Sequence, residues 1–213
     1  DKIKIIYNAI DPADAKEITN FIDKYQMDKS RFRGNIGYAH KRGMGYRAVF
    51  PDNKSPNLFK EIQNVLTKYS DFFIKECKSF YKNENIYFYG YSITRLEPGI
   101  QLRLHQDIHE SIHGDPNKLI YSASLYLNDG YVGGDIVFLN DFESNEDFPL
   151  YEEVLDGFVY DQKKYEMVLF PADLWHATDL LKSGTRDALI FWATTNKEHE
   201  FKGFDSDFVW YPL

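Results

Sequence analysis

The sequence predicts a mainly β fold with flanking α-helices, and two features support this prediction. From Tyr87 to about Thr195, short runs rich in Ile, Tyr, Phe, Val and Thr alternate with Gly, Pro, Asn and Asp, which is typical of about eight antiparallel strands. Before Tyr87, apolar residues recur instead at helical spacing. With 213 residues, 43% of them apolar, the chain is long enough for one sizeable core, so we expect a single domain.

Two helices are predicted in the N-terminal part. Asp11 offers a cap and Pro12 a first helical position for a short amphipathic helix in "DPADAKEITNFIDKY". A longer apolar pattern begins at Ser55 and Pro56 and reaches about Tyr81; we interpret its Cys77 as a buried core residue rather than a nucleophile. The domain is therefore expected to comprise helical support with a basic loop, a β core and a C-terminal tail (1–86, 87–195 and 196–213).

Composition disfavours several classes of partner. The net charge of −8, with Lys and Arg spread along the chain, opposes binding to nucleic acid and to anionic membranes. The single cysteine excludes an internal disulfide framework, and no run of 18 apolar residues exists to span a membrane. We expect a soluble, cytoplasmic protein without a visible signal peptide, although a chain beginning at Asp1 could lack upstream sequence. The oligomeric state is not predicted.

Two charged segments have more than one interpretation. The glycine-rich basic segment 31–53 is predicted to be a loop or hairpin, either simply solvated or a lid over a substrate that carries a carboxylate or is an acidic peptide. Residues 141–156 contain seven acidic and no basic residues; a solvated loop is the favoured interpretation, and a rim that attracts a cationic substrate is the alternative.

The stretch "LHQDIHESIHGDP" (104–116) matches three metal-binding motifs. His109 and His113 form the H-E-x-x-H pattern of zinc hydrolases, which requires a helix. Gly114, Asp115 and Pro116 would end such a helix at once, and no third ligand follows at the usual distance. The pair His113 and Asp115 lies in turn chemistry, where side-chain direction is not fixed.

A strand explains the stretch better. In "IQLRLHQD", Ile100, Leu102 and Leu104 alternate with polar residues, so His105 and Asp107 point the same way. An imidazole and a carboxylate on one strand face supply two of the three ligands of the two-histidine, one-carboxylate site that suits Fe(II) and oxygen.

The remaining groups are expected near the end of the β region. His176 follows a Pro-Ala-Asp turn and is the candidate third ligand. Ten residues later a strand begins whose period of two places four residues on one face, which are Arg186, Ala188, Ile190 and Trp192. This face therefore carries both a cation, Arg186, and an aromatic ring, Trp192.

Together these motifs resemble the Fe(II)/2-oxoglutarate-dependent oxygenases, in particular their prolyl-4-hydroxylase-like branch. The resemblance covers about Tyr89 to Thr195. It rests on four motifs: His105-x-Asp107, "SLYLND" followed by Gly133-Gly134-Asp135, His176, and Arg186 with Trp192 six residues later. It implies a double-stranded β-helix (jelly-roll) core with the N-terminal helices packed against it. It also implies that His105, Asp107 and His176 hold Fe(II), and that Arg186 pairs with the distal carboxylate of 2-oxoglutarate.

Further site residues follow from the same resemblance. Ser122, Tyr126 and Trp192 are expected to contact the co-substrate; ordinary solvent-facing strand positions are the alternative for Ser122 and Tyr126. The family often has a tyrosine three residues before the first ligand and another about ten before it, where this chain has Leu102 and Arg95. Alternation places Tyr89 and Tyr91 on the same strand face as Arg95, so we expect these two tyrosines to substitute. Tyr91 is assigned to the co-substrate, and Tyr89, Arg95 and Arg103 are expected to meet the substrate.

The expected activity is hydroxylation of an unactivated C–H bond, with O2 consumed, succinate and CO2 released, and ascorbate as accessory reductant. The substrate is expected to be a peptidyl residue such as proline, or alternatively a free amino acid. A zinc hydrolase using His109 and His113, or a non-catalytic β-helix binding protein, are more distant alternatives. Nucleic-acid demethylation is disfavoured because that branch has a second arginine where this chain has Trp192.

Overall fold

The protein is built on two antiparallel β-sheets with helices packed against the larger one. The computed structural model describes residues 2–26, 47–49, 58–102, 104–107, 120–139 and 158–203. The helices are α1 (Pro12–Gln26) and α2 (Gln63–Tyr81), with short 3-10 helices at Leu58–Ile62 and Lys197–His199. The strands are β1 (Lys4–Ile6), β2 (Arg47–Val49), β3 (Tyr87–Leu96), β4 (Tyr121–Tyr126), β5 (Ile136–Leu139), β6 (Phe158–Tyr160), β7 (Met167–Pro171), β8 (Trp175–Thr178) and β9 (Arg186–Thr194). Within these ranges no helix is long and apolar enough to cross a bilayer.

The strand orders give the two layers of a jelly roll. The major sheet has the order β1-β7-β4-β9-β3-β2 and the minor sheet the order β6-β5-β8. All the pairings are antiparallel, so sequence-distant strands become neighbours; β4, for example, lies between β7 and β9. This arrangement confirms the predicted mainly β, double-stranded β-helix fold with its N-terminal helices packed against it.

Alternation along the strands of the major sheet separates two cores. The face toward α1 and α2 includes Phe191 of β9, on which Phe73 of α2 stacks with ring centroids 5.4 Å apart. The opposite face packs Val168 and Phe170 of β7 against Phe138 of the minor sheet. Since burial of apolar area drives both contacts, the residues between the two sheets lie in an interior closed on both sides.

A buried ion pair joins β3 to β9, and its arginine also contacts α1. Arg95 on β3 donates from Nε and Nη2 to both carboxylate oxygens of Asp187 on β9, each at 2.6 Å. Its Nη1 donates to Asp23 of α1 at 2.8 Å. The Arg95 side chain is 7% exposed and that of Asp187 1% exposed, so both charges depend on this pairing.

Several sequence predictions are refined by the structure. The first predicted helix corresponds to α1, and the described part of the second begins as a 3-10 helix before α2. The sequence did not predict β1, whose three residues pair with β7. The segments 31–46 and 141–156 lie outside the described residues, as do His109, His113 and Arg103.

Candidate metal and co-substrate site

The backbone around His105 extends the minor sheet beside β8. His105 and His176 form an isolated antiparallel bridge, with N–H to O distances of 2.9 Å in both directions. The N–H of Asp107 donates to the carbonyl oxygen of Ala172 at 2.9 Å. The backbone around His105 therefore pairs as a strand would, and none of its described residues is helical. It pairs through an isolated bridge rather than as a regular strand.

Three metal-binding side chains converge inside the jelly roll. Oδ1 of Asp107 lies 3.4 Å from Nε2 of His105 and 3.6 Å from Nε2 of His176. All three ligand atoms lie within 4.8 Å of one another, which is close enough for one ion to contact them all. The side chains of His105, Asp107 and His176 are only 11%, 7% and 10% exposed, so a bound ion would be shielded from bulk water.

The surroundings of Asp107 favour its charged form. Burial alone would raise the pKa of this carboxyl, but His176, His105 and a hydrogen bond from Ser122 outweigh burial and hold the pKa below its ordinary value. Ser122 Oγ donates to Oδ2 at 2.5 Å and Trp192 Nε1 donates to the same oxygen at 3.1 Å. The carboxylate is therefore an anionic ligand at neutral pH.

His176 is held as a neutral ligand. Burial, with a further contribution from the neighbouring His105, lowers the pKa of His176 from 6.5 to about 4. Its Nδ1 lies 2.9 Å from the carbonyl oxygen of Leu174, an acceptor that requires the proton to be on Nδ1. Nε2, which faces Asp107, is then left with its lone pair available for a metal.

Arg186 is the first residue of β9 and is 2% exposed. Its Nη1 donates to the hydroxyl of Tyr126 at 2.7 Å and also to the carbonyl oxygen of Gly134. The Tyr126 hydroxyl, whose pKa burial raises to about 12, donates in turn to Gly134 O at 3.1 Å. Nε of Arg186 is buried and has no hydrogen-bond partner among the described residues. An uncompensated buried donor of this kind is suited to an incoming anion.

The paired glycines of the GGD segment lie close to the 180–182 backbone and to Arg186. Gly133 has φ +81°, and a Cβ there would overlap the carbonyl oxygen of Leu180. A Cβ on Gly134 would lie 3.1 Å from Leu181 Cδ1 and 3.5 Å from Arg186 Nη1. Gly133 can therefore approach the Leu180 carbonyl only without a side chain, whereas a Cβ on Gly134 would crowd Leu181 Cδ1 and meet Arg186 at an ordinary contact distance.

Strand alternation places the remaining predicted residues. Ser122 and Tyr126 on β4 are 0% and 1% exposed, which excludes the solvent-facing alternative. Trp192 points to the same interior, as predicted from the period of β9, and packs against Tyr89.

The expectation that Tyr89, Tyr91 and Arg95 share one face is wrong. The β3–β9 register shifts between Phe88 and Gly90, and this bulge turns Tyr89 toward the interior. Tyr91 instead lies in the helix-facing core, and Arg95 binds the acidic groups described above. Neither residue is therefore included in the site proposed below.

Gln101 was not assigned a role from the sequence. Its side chain is 3% exposed and its Nε2 is buried without a hydrogen-bond partner among the described residues. Alternation from His105 had placed Gln101 on the ligand face, but a single buried amide has no distinctive sequence pattern. The convergence of Ser122 and Trp192 on one oxygen was also missed, because it depends on the pairing of β4 with β9.

These donors fit Fe(II) with 2-oxoglutarate. Two imidazole nitrogens and one carboxylate form the facial ligand set that non-haem Fe(II) takes in oxygenases. The buried Nε of Arg186, unpartnered among the described residues, can donate a charge-assisted hydrogen bond to a carboxylate.

Comparisons with solved structures give the class of fold. A prolyl-4-hydroxylase from Pseudomonas putida is similar with a TM-score of 0.61 and 12% identity, covering 91% of this chain and 92% of that one. A prolyl hydroxylase from Trichoplax adhaerens, in complex with a peptide of the hypoxia inducible factor oxygen degradation domain, gives 0.64 and 16%, covering 93% and 86%. A viral collagen prolyl hydroxylase from Paramecium bursaria Chlorella virus-1, in complex with 2-oxoglutarate, gives 0.55 and 17%, covering 92% and 97%.

The chain thus has the double-stranded β-helix fold of the 2-oxoglutarate/Fe(II) oxygenases, and these similarities extend over most of its length. Within that class, the structures named above are prolyl hydroxylases. No family model matches the sequence, and no curated protein matches it.

Proposed function

We propose that the protein is an Fe(II)- and 2-oxoglutarate-dependent dioxygenase that hydroxylates an unactivated C–H bond. The single observation that supports this most strongly is the approach of Asp107 Oδ1 to Nε2 of both His105 and His176 inside the jelly roll. With Fe(II) held there, the site would supply oxidation of a substrate C–H bond by O2, coupled to conversion of 2-oxoglutarate into succinate and CO2.

Each of the surrounding residues has a defined task in this proposal. The hydrogen bond of His176 to Leu174 O keeps its Nε2 directed at the metal position. Arg186, held by Tyr126 and Gly134, receives the distal carboxylate of 2-oxoglutarate through its unpartnered Nε. The burial of both groups keeps water from competing for these interactions.

We propose a peptidyl residue such as proline as the substrate. The similar structures are prolyl hydroxylases, and one of them is in complex with a peptide, which supports a peptide-binding role. Hydroxylation of a free amino acid is the alternative within the same chemistry. A zinc hydrolase is less well supported, because the described ligand set has the composition that favours Fe(II).

The proposal is tested by turnover. The protein is loaded anaerobically with Fe(II) and 2-oxoglutarate, mixed with proline-containing peptides or free amino acids, and then exposed to O2. We expect succinate and a product heavier by one oxygen atom. Whether peptides or free amino acids are hydroxylated distinguishes the two substrate classes. The Asp107→Ala variant should produce neither, and equal succinate release from this variant would refute the assignment.

A further inference from the structure

Ser122 and Trp192 are cross-strand neighbours that meet at one atom. They are paired in the β4–β9 register, so their side chains lie side by side on the inner face of the major sheet. Both are buried, at 0% and 6% exposure. Each donates a hydrogen bond to Oδ2 of Asp107, at 2.5 and 3.1 Å respectively.

The two oxygens of Asp107 therefore have different surroundings. Oδ2 accepts from two donors of the major sheet, whereas Oδ1 faces the Nε2 atoms of His105 and His176. The backbone of Asp107 is fixed separately through its N–H to Ala172 O at 2.9 Å. Rotation of the carboxylate to bring both oxygens to a metal would break both hydrogen bonds in an interior with little water to replace them.

We propose that Ser122 and Trp192 are positioning residues that limit Asp107 to one metal-binding oxygen. This inference rests on the proposed function, because it requires a metal between Asp107 and the two histidines. A carboxylate can bind a metal through one oxygen or two, and the second oxygen takes a coordination position. Holding Oδ2 in hydrogen bonds keeps that position open for exogenous ligands, which the proposed reaction needs for 2-oxoglutarate and O2.

The test counts the waters on a bound metal without any turnover. Mn(II) takes octahedral coordination, so a site with three single-atom protein ligands leaves about three positions for water. Water bound to Mn(II) is counted by electron–nuclear double resonance in ¹⁷O-enriched water. We compare wild type, Ser122→Ala, Trp192→Phe, which keeps a ring but removes the donor, and the double variant.

We expect about three waters in the wild type and about two in the double variant, because the released Oδ2 becomes a second ligand atom. Ser124→Ala is the matched control: Ser124 lies two residues along β4 on the same face, and its hydroxyl donates to Gln162 Oε1 at 2.8 Å rather than to Asp107. This control should keep the wild-type number.

An unchanged water count in the double variant would overturn the inference while leaving the metal site intact. Failure of the wild type to bind Mn(II), Fe(II) or Co(II) would instead overturn the proposed function, and this inference with it. A crystal structure of the Mn(II)-loaded wild type is a second test that needs no folded variant. Metal bound through Oδ1 alone supports the inference, and both oxygens on the metal would overturn it.

Discussion

Replacement of Arg186 should weaken 2-oxoglutarate binding without removing the metal. The Nη1 of this arginine is already engaged by Tyr126 and Gly134, whereas its buried Nε has no partner among the described residues. One hydrogen bond between charged groups contributes roughly 1.5 to 3 kcal/mol. Loss of that bond in Arg186→Ala should therefore raise the dissociation constant of 2-oxoglutarate by about 10- to 150-fold.

The assay is calorimetric titration of 2-oxoglutarate into the Mn(II)-loaded protein, in which no turnover occurs. Arg186→Lys retains the charge but loses Nε and the planar fork, so an intermediate loss of affinity is expected. Lys182→Ala removes an exposed positive charge nearby in sequence and serves as the control, with an effect within about twofold because solvent screens exposed charges. An Arg186→Ala protein with wild-type affinity would refute the assignment of this residue.

Three further predictions concern stability, each measured by urea unfolding. Burial lowers the pKa of His176 in the metal-free protein from 6.5 to about 4, so the unfolded chain takes up this proton first as the pH falls. The free energy of unfolding should therefore be highest above pH 6.5 and should decrease as the pH falls toward 4. The decrease in the free energy of unfolding is roughly 3 kcal/mol at most. If the His176→Gln variant shows the same pH-dependent decrease, His176 is not its cause. Asp187→Ala removes the buried carboxylate that pairs with Arg95 and should lower the free energy of unfolding by about 3 to 5 kcal/mol. A decrease below about 1 kcal/mol would show that the pair is not essential. Gly133→Ala should destabilise more than Gly130→Ala, because both glycines have φ near +80° (+81° and +82°) but only Gly133 meets a carbonyl; equal costs would exclude the close approach as the cause.

Local periodicity was sufficient to predict which residues of β4 and β9 share a face, while the family resemblance indicated which face is internal. Ser122 and Tyr126 alternate with Ala123 and Leu125, and the structure buries the first pair inside the jelly roll and the second against the helices. Both faces of these strands are covered, so alternate residues pack into different cores. His105 and Asp107 were likewise brought together with His176, although through irregular pairings that alternation alone does not describe.

The errors arose where long-range pairing decides the structure. Tyr89 was assigned to the face of Tyr91 by simple alternation, which a bulge in β3 reverses. Arg95 was expected at the substrate, but acidic partners on β9 and α1 engage it. Those partners are 92 and 72 residues away in sequence, so no local pattern identifies them.

Stoichiometric metal binding tests the central claim most directly. Anaerobic titration with Fe(II) should show a single ion per chain in the wild type, and in the Ser124→Ala control. His176→Ala and Asp107→Ala should each abolish this binding, because either change removes one of the three ligands that lie within 4.8 Å of one another. Undiminished Fe(II) binding by either variant would contradict the site described here.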